Sequence, residues 1–304
     1  KGLEEVIIAV TPWPASAALY VALDKGYFRD EGIQAVLRPY ISGHLGLDAV
    51  ISGNADLATC GDTPFARSVV EGKPVTVIAT VCEINRAVLI VGRKDRGISS
   101  VDDLAGKTIG VVSGTTADFF LHILLMTSYI DFADVTIVNF ETEKLVDALA
   151  AGEVDAVSTW FPHTVKAVDR LGDNGVVLED PSIYKMTWNI TARKDYTENH
   201  PDRIRGVLRA LVKANRFIVE QAGEARAVTS KHVGAESGPF ETEWGDYAFT
   251  LALDQSLILN LEEQVRWRAM GRSGSTGKPP NFMDFIHVDG LKDVHPAAVR
   301  IIGK

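Results

Sequence analysis

A repeated segment constrains the fold of this chain more than any other feature. The stretch LDAVISGNADLAT at 47–59 aligns with VDALAAGEVDAVS at 146–158, about one hundred residues further on. Each copy opens with an apolar residue, Asp and Ala, has a central glycine and closes with Asp between two apolar residues. This pattern predicts a helix end, a glycine cap at Gly53 or Gly152, and a short strand. We therefore expect two copies of one structural unit.

Other strand candidates repeat at nearly the same spacing. The predicted pairs are VIIAVT (6–11) with KTIGVVS (107–113), AVLRPY (35–40) with VTIVNF (135–140), and KPVTVIA (73–79) with NGVVLED (174–180). Each half thus reads strand, helix, strand, helix, strand. Such alternation predicts an α/β fold with two lobes, each a mostly parallel sheet flanked by helices.

The places where the chain passes between the lobes are predicted from a second similarity. IVGRKD at 90–95 and ITARKD at 190–195 are apolar strands that end in Arg-Lys-Asp. We interpret them as a hinge near 90–95 and 189–195. Lobe I then comprises 1–93 plus 191–304, and lobe II comprises 94–190. Two open α/β lobes are expected to bind a ligand in a cleft at the carboxyl ends of their strands.

Composition excludes several classes of function. The chain has 40 acidic and 31 basic residues and no basic cluster, which predicts that nucleic acid is not a partner. No apolar run approaches the roughly 20 residues that span a bilayer. The chain opens with KGLEEVIIAV and without an export signal, so we expect any leader to be absent from this sequence.

Two further patterns carry no predicted chemistry. The seven histidines lack paired ligand spacing, so neither a metal site nor a cofactor is expected. GRSGSTGKPP at 271–280 superficially resembles a phosphate loop, but Lys278 is followed by Pro279 and no strand precedes it. We predict a loop there.

Four motifs relate the chain to a known family. They are GYFRDEGI (26–33), ISGNADLATCGDTP (51–64), SVDDLAGKTIGVVSGTT (100–116) and AGEVDAVSTWFP (151–162). In order and spacing they resemble the periplasmic substrate-binding proteins of ABC importers. The resemblance is to the branch for sulfonates, taurine and nitrate, which also includes binders of the thiamin pyrimidine precursor. It implies the type II periplasmic-binding-protein fold, hinge closure around a small-molecule ligand, and no catalytic residues. It also implies a membrane permease as partner, a monomeric state, and a periplasmic or lipid-anchored extracytoplasmic location.

The segment VVSGTTADFF at 111–120 is a candidate for holding the polar head of a ligand. Free N–H groups and hydroxyls at a strand-to-helix junction can bind an anion, although the same residues also cap helices without any ligand. The resemblance implies that Ser113, Gly114, Thr115 and Thr116, the SGTT turn, lie where relatives hold an oxyanion. Asp118 in the same helical turn would partly neutralise the positive potential and favour a neutral or zwitterionic head.

Aromatic residues in predicted strand-end loops are candidates for covering the ligand body. They are Trp13, Trp160, Phe161 and Trp188. Packing in the core is the alternative for each of them. In the CGDTP loop, Asp62 with Thr63 could bind an amine or hydroxyl, or could cap a turn. His44 could donate to an anion.

The favoured function is a solute receptor for a small organic oxyanion, such as a sulfonate or taurine-like compound. One alternative is a heteroaromatic such as a pyrimidine, stacked between Trp13 and Trp160. Another is a sulfinate-cleaving enzyme of the same fold that uses Cys60 as nucleophile and His44 as base. Relatives with that activity place their cysteine in the first strand-end loop, where this chain has Ala15 and Ser16, so we expect Cys60 to be a structural thiol.

Overall fold

The computed structural model describes residues 2–234, 244–270 and 280–302 of the chain. The chain forms two compact units: unit 1 combines Lys1–Ile84 with Thr187–Lys304, and unit 2 is Asn85–Met186. The loop predicted at 271–280 lies outside the described residues, apart from Pro280.

Strands and helices alternate through most of the chain. The strands are β1 (Glu4–Val10), β2 (Ile33–Pro39), β3 (Leu57–Gly61), β4 (Val75–Ile84), β5 (Val88–Arg93), β6 (Thr108–Val111), β7 (Thr136–Asn139), β8 (Ala156–Trp160), β9 (Gly175–Leu178), β10 (Met186–Arg193), β11 (Tyr247–Asp254) and β12 (Val299–Arg300). The helices are α1 (Ala17–Asp24), α2 (Tyr27–Asp30), α3 (Gly43–Ile51), α4 (Asp62–Val70), α5 (Thr116–Thr127), α6 (Thr142–Ala151), α7 (His163–Leu171), α8 (Lys194–Asn199), α9 (Pro201–Glu220), α10 (Ala222–Val233), α11 (Gln255–Met270) and α12 (Asp289–Val294). None of the described helices is both long and apolar enough to cross a bilayer.

Each unit contains one sheet. In the described residues the strand order is β12-β11-β4-β10-β3-β1-β2 in unit 1 and β7-β6-β8-β5-β9 in unit 2. Strand β1 is parallel to β2 and β3, and β6 is parallel to β7 and β8. The predicted α/β class is therefore confirmed. The sheets are mixed rather than mostly parallel, because β5 and β10, the strands where the chain enters each unit, pair antiparallel with β8 and β3.

The sequence repeat corresponds to one hydrogen-bonding arrangement that occurs in both units. In unit 1 the Asp56 carboxylate accepts a hydrogen bond from the Ile7 amide at 2.8 Å, and the Asp56 amide donates to the Ile7 carbonyl at 2.9 Å. In unit 2 Asp155 makes the same two bonds with Thr108, at 2.9 and 2.8 Å. These aspartates tie the strand after the repeated helix to the first strand of the unit, which explains the Asp in each copy.

The Arg-Lys-Asp segments stabilise the units in which they lie. Arg93 forms a fork with Asp95 at 3.0 and 2.9 Å and donates to the carbonyls of Leu149 and Ala150 at the end of α6. Strand β5 pairs within the sheet of unit 2 and β10 within that of unit 1, so the division falls at 84/85 and 186/187. The first division lies nine residues before the expected boundary at 93, and the second lies four residues before the one at 190. The hinge itself stays a prediction.

Apolar packing joins the repeated helices to their sheets. In unit 1 a cluster that includes Ala49, Val50 and Ala58 packs α3 against β1 and β3. In unit 2 a cluster that includes Leu145 and Val157 packs α6 against β6 and β8. Removing these side chains from water is the main stabilising contribution in each unit. This packing fixes the ends of the strands that are followed by the candidate site residues.

Candidate functional site

The segment after β1 in unit 1 is held tightly by buried side chains. The Thr11 amide donates to Thr59 Oγ1 at 3.0 Å, and the Thr11 carbonyl accepts from Ser16 Oγ and from the Tyr20 hydroxyl, both at 3.1 Å. Burial raises the pKa of Tyr20, so this hydroxyl stays protonated and able to donate. The turn that carries Trp13 is therefore fixed in position.

Two of the predicted aromatic residues form a buried pair in unit 1. The rings of Trp13 and Trp188 meet edge to face with their centroids 4.9 Å apart, and Tyr247 lies 6.0 Å from Trp13 in a similar orientation. Trp13 is 5% exposed and Trp188 is 4% exposed. Trp188 lies within β10, opposite Gly61, rather than in a strand-end loop. Neither ring presents a free face, so the predicted stacking on a ligand receives no support from their packing.

The two indole N–H groups differ in their partners. Trp188 Nε1 donates to Ser16 Oγ at 3.0 Å. Trp13 Nε1 is buried and has no hydrogen-bond partner within 2–234, 244–270 and 280–302, and the same holds for Thr11 Oγ1. Buried polar groups are normally hydrogen-bonded in native proteins, so these two atoms are exceptions within one short segment.

Asp62 and Thr63 begin α4 and are buried in unit 1. The Asp62 carboxylate accepts from the Thr63 amide at 2.8 Å and from the Thr187 amide at 3.2 Å. The carboxylate therefore binds one amide in the first turn of its own helix, whose N-cap is Gly61, and one amide of the returning chain. Whether Asp62 also contacts a ligand stays a prediction.

His44 and Cys60 do not form a nucleophile–base pair with an accessible thiol. Ser42 Oγ and His44 Nδ1 are 3.0 Å apart at the start of α3. Cys60 is fully buried, and burial raises the pKa of its thiol to about 12. A Cβ on Gly43 would lie 2.9 Å from the Cys60 Cα, so the backbone of α3 covers the cysteine. In the described part of the chain, no three or more His, Cys, Asp or Glu side chains gather to hold a metal ion.

In unit 2, internal acceptors already occupy amides of the SGTT turn. The Ser113 amide donates to Asn139 Oδ1 at 2.8 Å, and the Gly114 amide donates to Asp118 Oδ2 at 2.8 Å. The Asp118 carboxylate thus takes a position that an oxyanion could occupy. A second negative charge beside it would be repelled, which weakens the case for an anionic head at this turn.

The rest of the turn resembles an ordinary helix start. The Thr115 hydroxyl donates to the Val112 carbonyl at 2.7 Å, and the first intrahelical bond of α5 runs from the Phe119 amide to the Thr115 carbonyl. Thr115 and Thr116 are each 9% exposed. Only the amides from Thr116 to Asp118 precede that first helical bond, and such amides are the orphan donors of any helix.

Trp160 and Phe161 form the more accessible aromatic group. Trp160 is the last residue of β8, which runs parallel to β6, so both residues lie at the same sheet edge as the SGTT turn. Both are half-buried. The Trp160 ring meets His163 edge to face at 5.7 Å. Their exposed faces can cover an apolar group.

A family model confirms the resemblance inferred from the motifs. The model described as NMT1/THI5 like matches residues 13–225, which is more than half of the chain. The chain belongs to the NMT1/THI5-like family. The match begins at Trp13 and covers every site residue that the sequence predicted, in both units.

Two named relatives and one solved structure are similar to this chain. The taurine-binding periplasmic protein of Escherichia coli is 26% identical over 208 residues, which is 66% of this chain and 63% of that protein. A putative aliphatic sulfonates-binding protein of Bacillus subtilis is 27% identical over 233 residues, 74% of this chain and 68% of that protein. The periplasmic aliphatic sulphonate-binding protein of Escherichia coli superposes with a TM-score of 0.76 at 19% identity, over 93% of this chain and 97% of that chain. The predicted periplasmic-binding-protein fold is thus confirmed.

The structure sorts the predicted site residues by unit. Trp13, His44, Asp62, Thr63 and Trp188 belong to unit 1, whereas the SGTT turn, Trp160 and Phe161 belong to unit 2. That one ligand contacts both groups stays a prediction. The sequence reasoning did not predict the buried hydrogen bonds of Thr11 and Ser16. The signal for Thr11 was present, because it directly follows the apolar run VIIAV.

Proposed function

We propose that this protein is an extracytoplasmic solute receptor of an ABC importer, which binds a small organic oxyanion of the sulfonate or taurine class and delivers it to a membrane permease. Membership of the NMT1/THI5-like family supports this, as do relatives that are named for binding taurine and aliphatic sulfonates. The proposal includes no chemical step by the protein itself.

The observation that carries the proposal is the pair of half-buried aromatic rings at the carboxyl end of β8. Trp160 and Phe161 lie at the sheet edge where α/β proteins bind their ligands. They offer apolar area that an organic body can cover. A bare inorganic anion such as nitrate has no such body, so these rings favour an organic ligand over nitrate.

The two alternatives draw less support from the packing. A pyrimidine stacked on Trp13 would need an open ring face, yet this ring packs against Trp188 and Tyr247. A sulfinate-cleaving enzyme would need a thiolate at Cys60, yet burial favours the neutral thiol there and covers it from solvent.

Isothermal titration with taurine, an alkanesulfonate and nitrate tests the proposal. We expect the parent protein to bind at least one of the organic sulfonates and to bind nitrate more weakly. Trp160→Ala should weaken the binding by about 1–3 kcal/mol through loss of contact area. Tyr129→Ala is the matched control, because this ring lies at the far end of α5 in the same unit and is 98% exposed. Equal loss in both variants, or preference for nitrate, would contradict the proposal.

A further inference from the structure

We infer that unit 1 has a second ligand site, a cavity between the end of α1, helix α2 and the start of β2, which binds a small organic carboxylate through Arg29. This cavity, called the α2 cavity below, has a volume of about 350 Å³. Arg29 and Gln34 in its wall are exposed, so a ligand can enter from solvent. Pockets of this size hold small molecules. The inference goes beyond the proposed function and does not depend on which solute the receptor carries.

The α2 cavity lies away from the strand ends that precede the candidate site residues of unit 1. Its wall includes Ile33, Gln34 and Ala35, the first half of β2, which pair with residues 4–6 at the start of β1. The two strands are parallel, and the loop with Trp13 follows the opposite end of β1. A ligand in this cavity is therefore distinct from a solute bound at the carboxyl ends of the strands.

The cavity runs along an open edge of the sheet. Side chains alternate between the two faces of a strand, so three consecutive residues border one cavity when it lies along the strand edge. Strand β2 is the last strand of its sheet in the described residues. Its outer edge has no neighbouring strand there, and backbone N–H groups of such an edge are additional donors for a ligand.

Arg29 supplies the charge that recognises the ligand. Its guanidinium has no hydrogen bond or ion pair with any other residue of the described ranges. The acids that follow it in the sequence are bound by cations of α9. Asp30 Oδ2 lies 3.7 Å from Lys213 Nζ, and Glu31 Oε2 lies 2.6 Å from Arg209 Nε. These acids leave the Arg29 guanidinium uncompensated and available to an anion.

Asp24 restricts the charge of that anion. Its carboxylate lies in the wall of the same cavity and is held by α10, since Asp24 Oδ1 is 2.7 Å from His232 Nε2. A negative charge in the wall repels a multiply charged anion more strongly than a monoanion. The planar fork of the Arg29 guanidinium also matches the two oxygens of a carboxylate. The cavity therefore favours a monocarboxylate over phosphate.

The remaining wall defines the body of the ligand. Leu23, Phe28 and Ile33 supply an apolar surface beside the charged groups. The Gln34 amide has no hydrogen-bond partner in the described part of the chain, and it can both donate and accept. The arrangement fits a short alkyl or aryl group against the apolar wall, with its carboxylate on Arg29.

Titration with butyrate and benzoate, followed by nuclear magnetic resonance of isotope-labelled protein, tests the site. We expect the signals of the Gly26 amide, which lies in the cavity wall, and of Arg29 Nε–H to move until the site is saturated. Inorganic phosphate should bind at least about tenfold more weakly than the better carboxylate. Arg29→Gln should weaken carboxylate binding about tenfold, because it removes the charged fork.

A second exposed arginine of unit 1 provides the matched control. Arg216 in α9 also has no side-chain partner in the described residues, and it is not part of the cavity wall. Arg216→Gln should leave the carboxylate affinity within about twofold of the parent protein. Ala35→Leu fills the cavity while keeping Arg29, and it should abolish the movement of the Gly26 signal. Thermal unfolding of each variant shows that it is folded.

The site is separated from the solute site by adding a saturating concentration of the sulfonate that binds best. The Gly26 and Arg29 signals should still respond to the carboxylate with the same affinity, and Arg29→Gln should bind the sulfonate as the parent protein does. If carboxylate binding disappears under the sulfonate, the carboxylate occupies the solute site and the inference is wrong.

Other results would overturn the inference and leave the proposed function standing. One is that neither carboxylate moves the Gly26 and Arg29 signals of the parent protein. Another is that Arg29→Gln and Arg216→Gln lose the same affinity, which would indicate a general charge effect. Tighter binding of phosphate would show that the ligand class is wrong. Conversely, a protein that binds carboxylates at Arg29 and no sulfonate would reject the proposed function and support this site.

Discussion

The repeated segments of units 1 and 2 share their framework and differ in their strand-end loops. Asp56 and Asp155 make the same pair of bonds to the first strand of each unit. Gly53 and Gly152 both have a φ of +78°, which is the left-handed conformation that favours glycine at a helix end. The framework residues are therefore recognisable as a repeat in the sequence.

The loops after the first strands have no such correspondence. In unit 1 the loop is buried and rich in aromatic contacts, and it contains atoms of Thr11 and Trp13 that have no hydrogen-bond partner in the described part of the chain. In unit 2 the loop leads into a helix. Its Ser113 and Gly114 amides and its Thr115 hydroxyl already donate hydrogen bonds to other groups of the same unit. The comparison teaches that equivalent positions in a duplicated fold need not share a role, because a framework can stay constant while its loops take different chemistry.

The largest expected effect on stability is at Gly43, where the backbone of a helix in unit 1 lies close to a strand. Helix α3 begins with Gly43, whereas α6 begins with Thr142. In Gly43→Ala the new Cβ would lie 2.9 Å from the Cys60 Cα, so helix or strand must shift. We expect the free energy of unfolding to fall by about 3 kcal/mol, measured by urea denaturation.

Gly46→Ala is the control in the same helix. A Cβ there meets Ala9 Cβ at 3.5 Å, which is an ordinary contact. Its higher helix propensity should leave the protein as stable as the parent or more stable, by up to about 1 kcal/mol. Equal destabilisation by both substitutions would contradict the close approach at Gly43.

The shared framework predicts matched effects in the two units. Asp56→Ala and Asp155→Ala each remove a charged acceptor of a backbone amide. Each should lower the free energy of unfolding by about 2 kcal/mol, and Asp→Asn at either position should cost less because the amide oxygen still accepts. Urea denaturation of the four variants measures this. A large loss of unfolding free energy at one of the two aspartates and none at the other would show that the repeats are not equivalent.

A pH effect is expected from unit 2 and not from the corresponding helix of unit 1. Burial lowers the pKa of His122 in α5 to about 4, whereas α1 has no histidine. The unfolded chain therefore binds a proton before the folded one, and stability falls as the pH drops from about 6.5 to about 4. Allowing for the partial exposure of His122, the contribution is about 1–2 kcal/mol.

The variant His122→Leu isolates this contribution. Unfolding free energies of parent and variant, compared at about pH 7 and about pH 4, should differ in their pH dependence, with the smaller acid loss in the variant. The same acid loss in both proteins would show that His122 does not titrate as its burial requires.

The smallest expected effect is at the buried thiols. Burial raises the pKa of Cys60 to about 12 and that of Cys82 well above its ordinary value. Neither should react with a thiol reagent until the protein is unfolded. Cys60→Ser should change solute affinity by less than tenfold, or about 1.4 kcal/mol, in isothermal titration. If the parent protein turned over a sulfinate and Cys60→Ser did not, the proposal that the protein is a receptor would be contradicted.

The sequence predicted those features that local pattern encodes. The repeat, its glycine caps and the α/β alternation follow from residue periodicity and turn chemistry, so they could be read without a structure. The position of Asp62 in the first turn of a helix could also be stated in advance, because acidic residues are favoured at helix N-termini.

Features that depend on tertiary packing could not be predicted. Nothing in TPWPAS indicates that Trp13 is enclosed by Trp188 and Tyr247, which are distant in sequence. The role of Arg93 as a clamp on the end of α6 likewise depends on a contact across more than fifty residues. The sequence therefore predicts the strand end at which Trp13 lies, whereas the packing of its ring becomes visible only in the structure.

Native mass spectrometry of the purified protein tests the receptor most directly. We expect a bound small organic molecule, one per chain, that carries an oxyanion or another hydrogen-bond acceptor, dissociates on denaturation and is replaced by added taurine or alkanesulfonate. A protein that carries no small molecule and takes up none of the added compounds, or that converts an added compound to a product, would contradict the account.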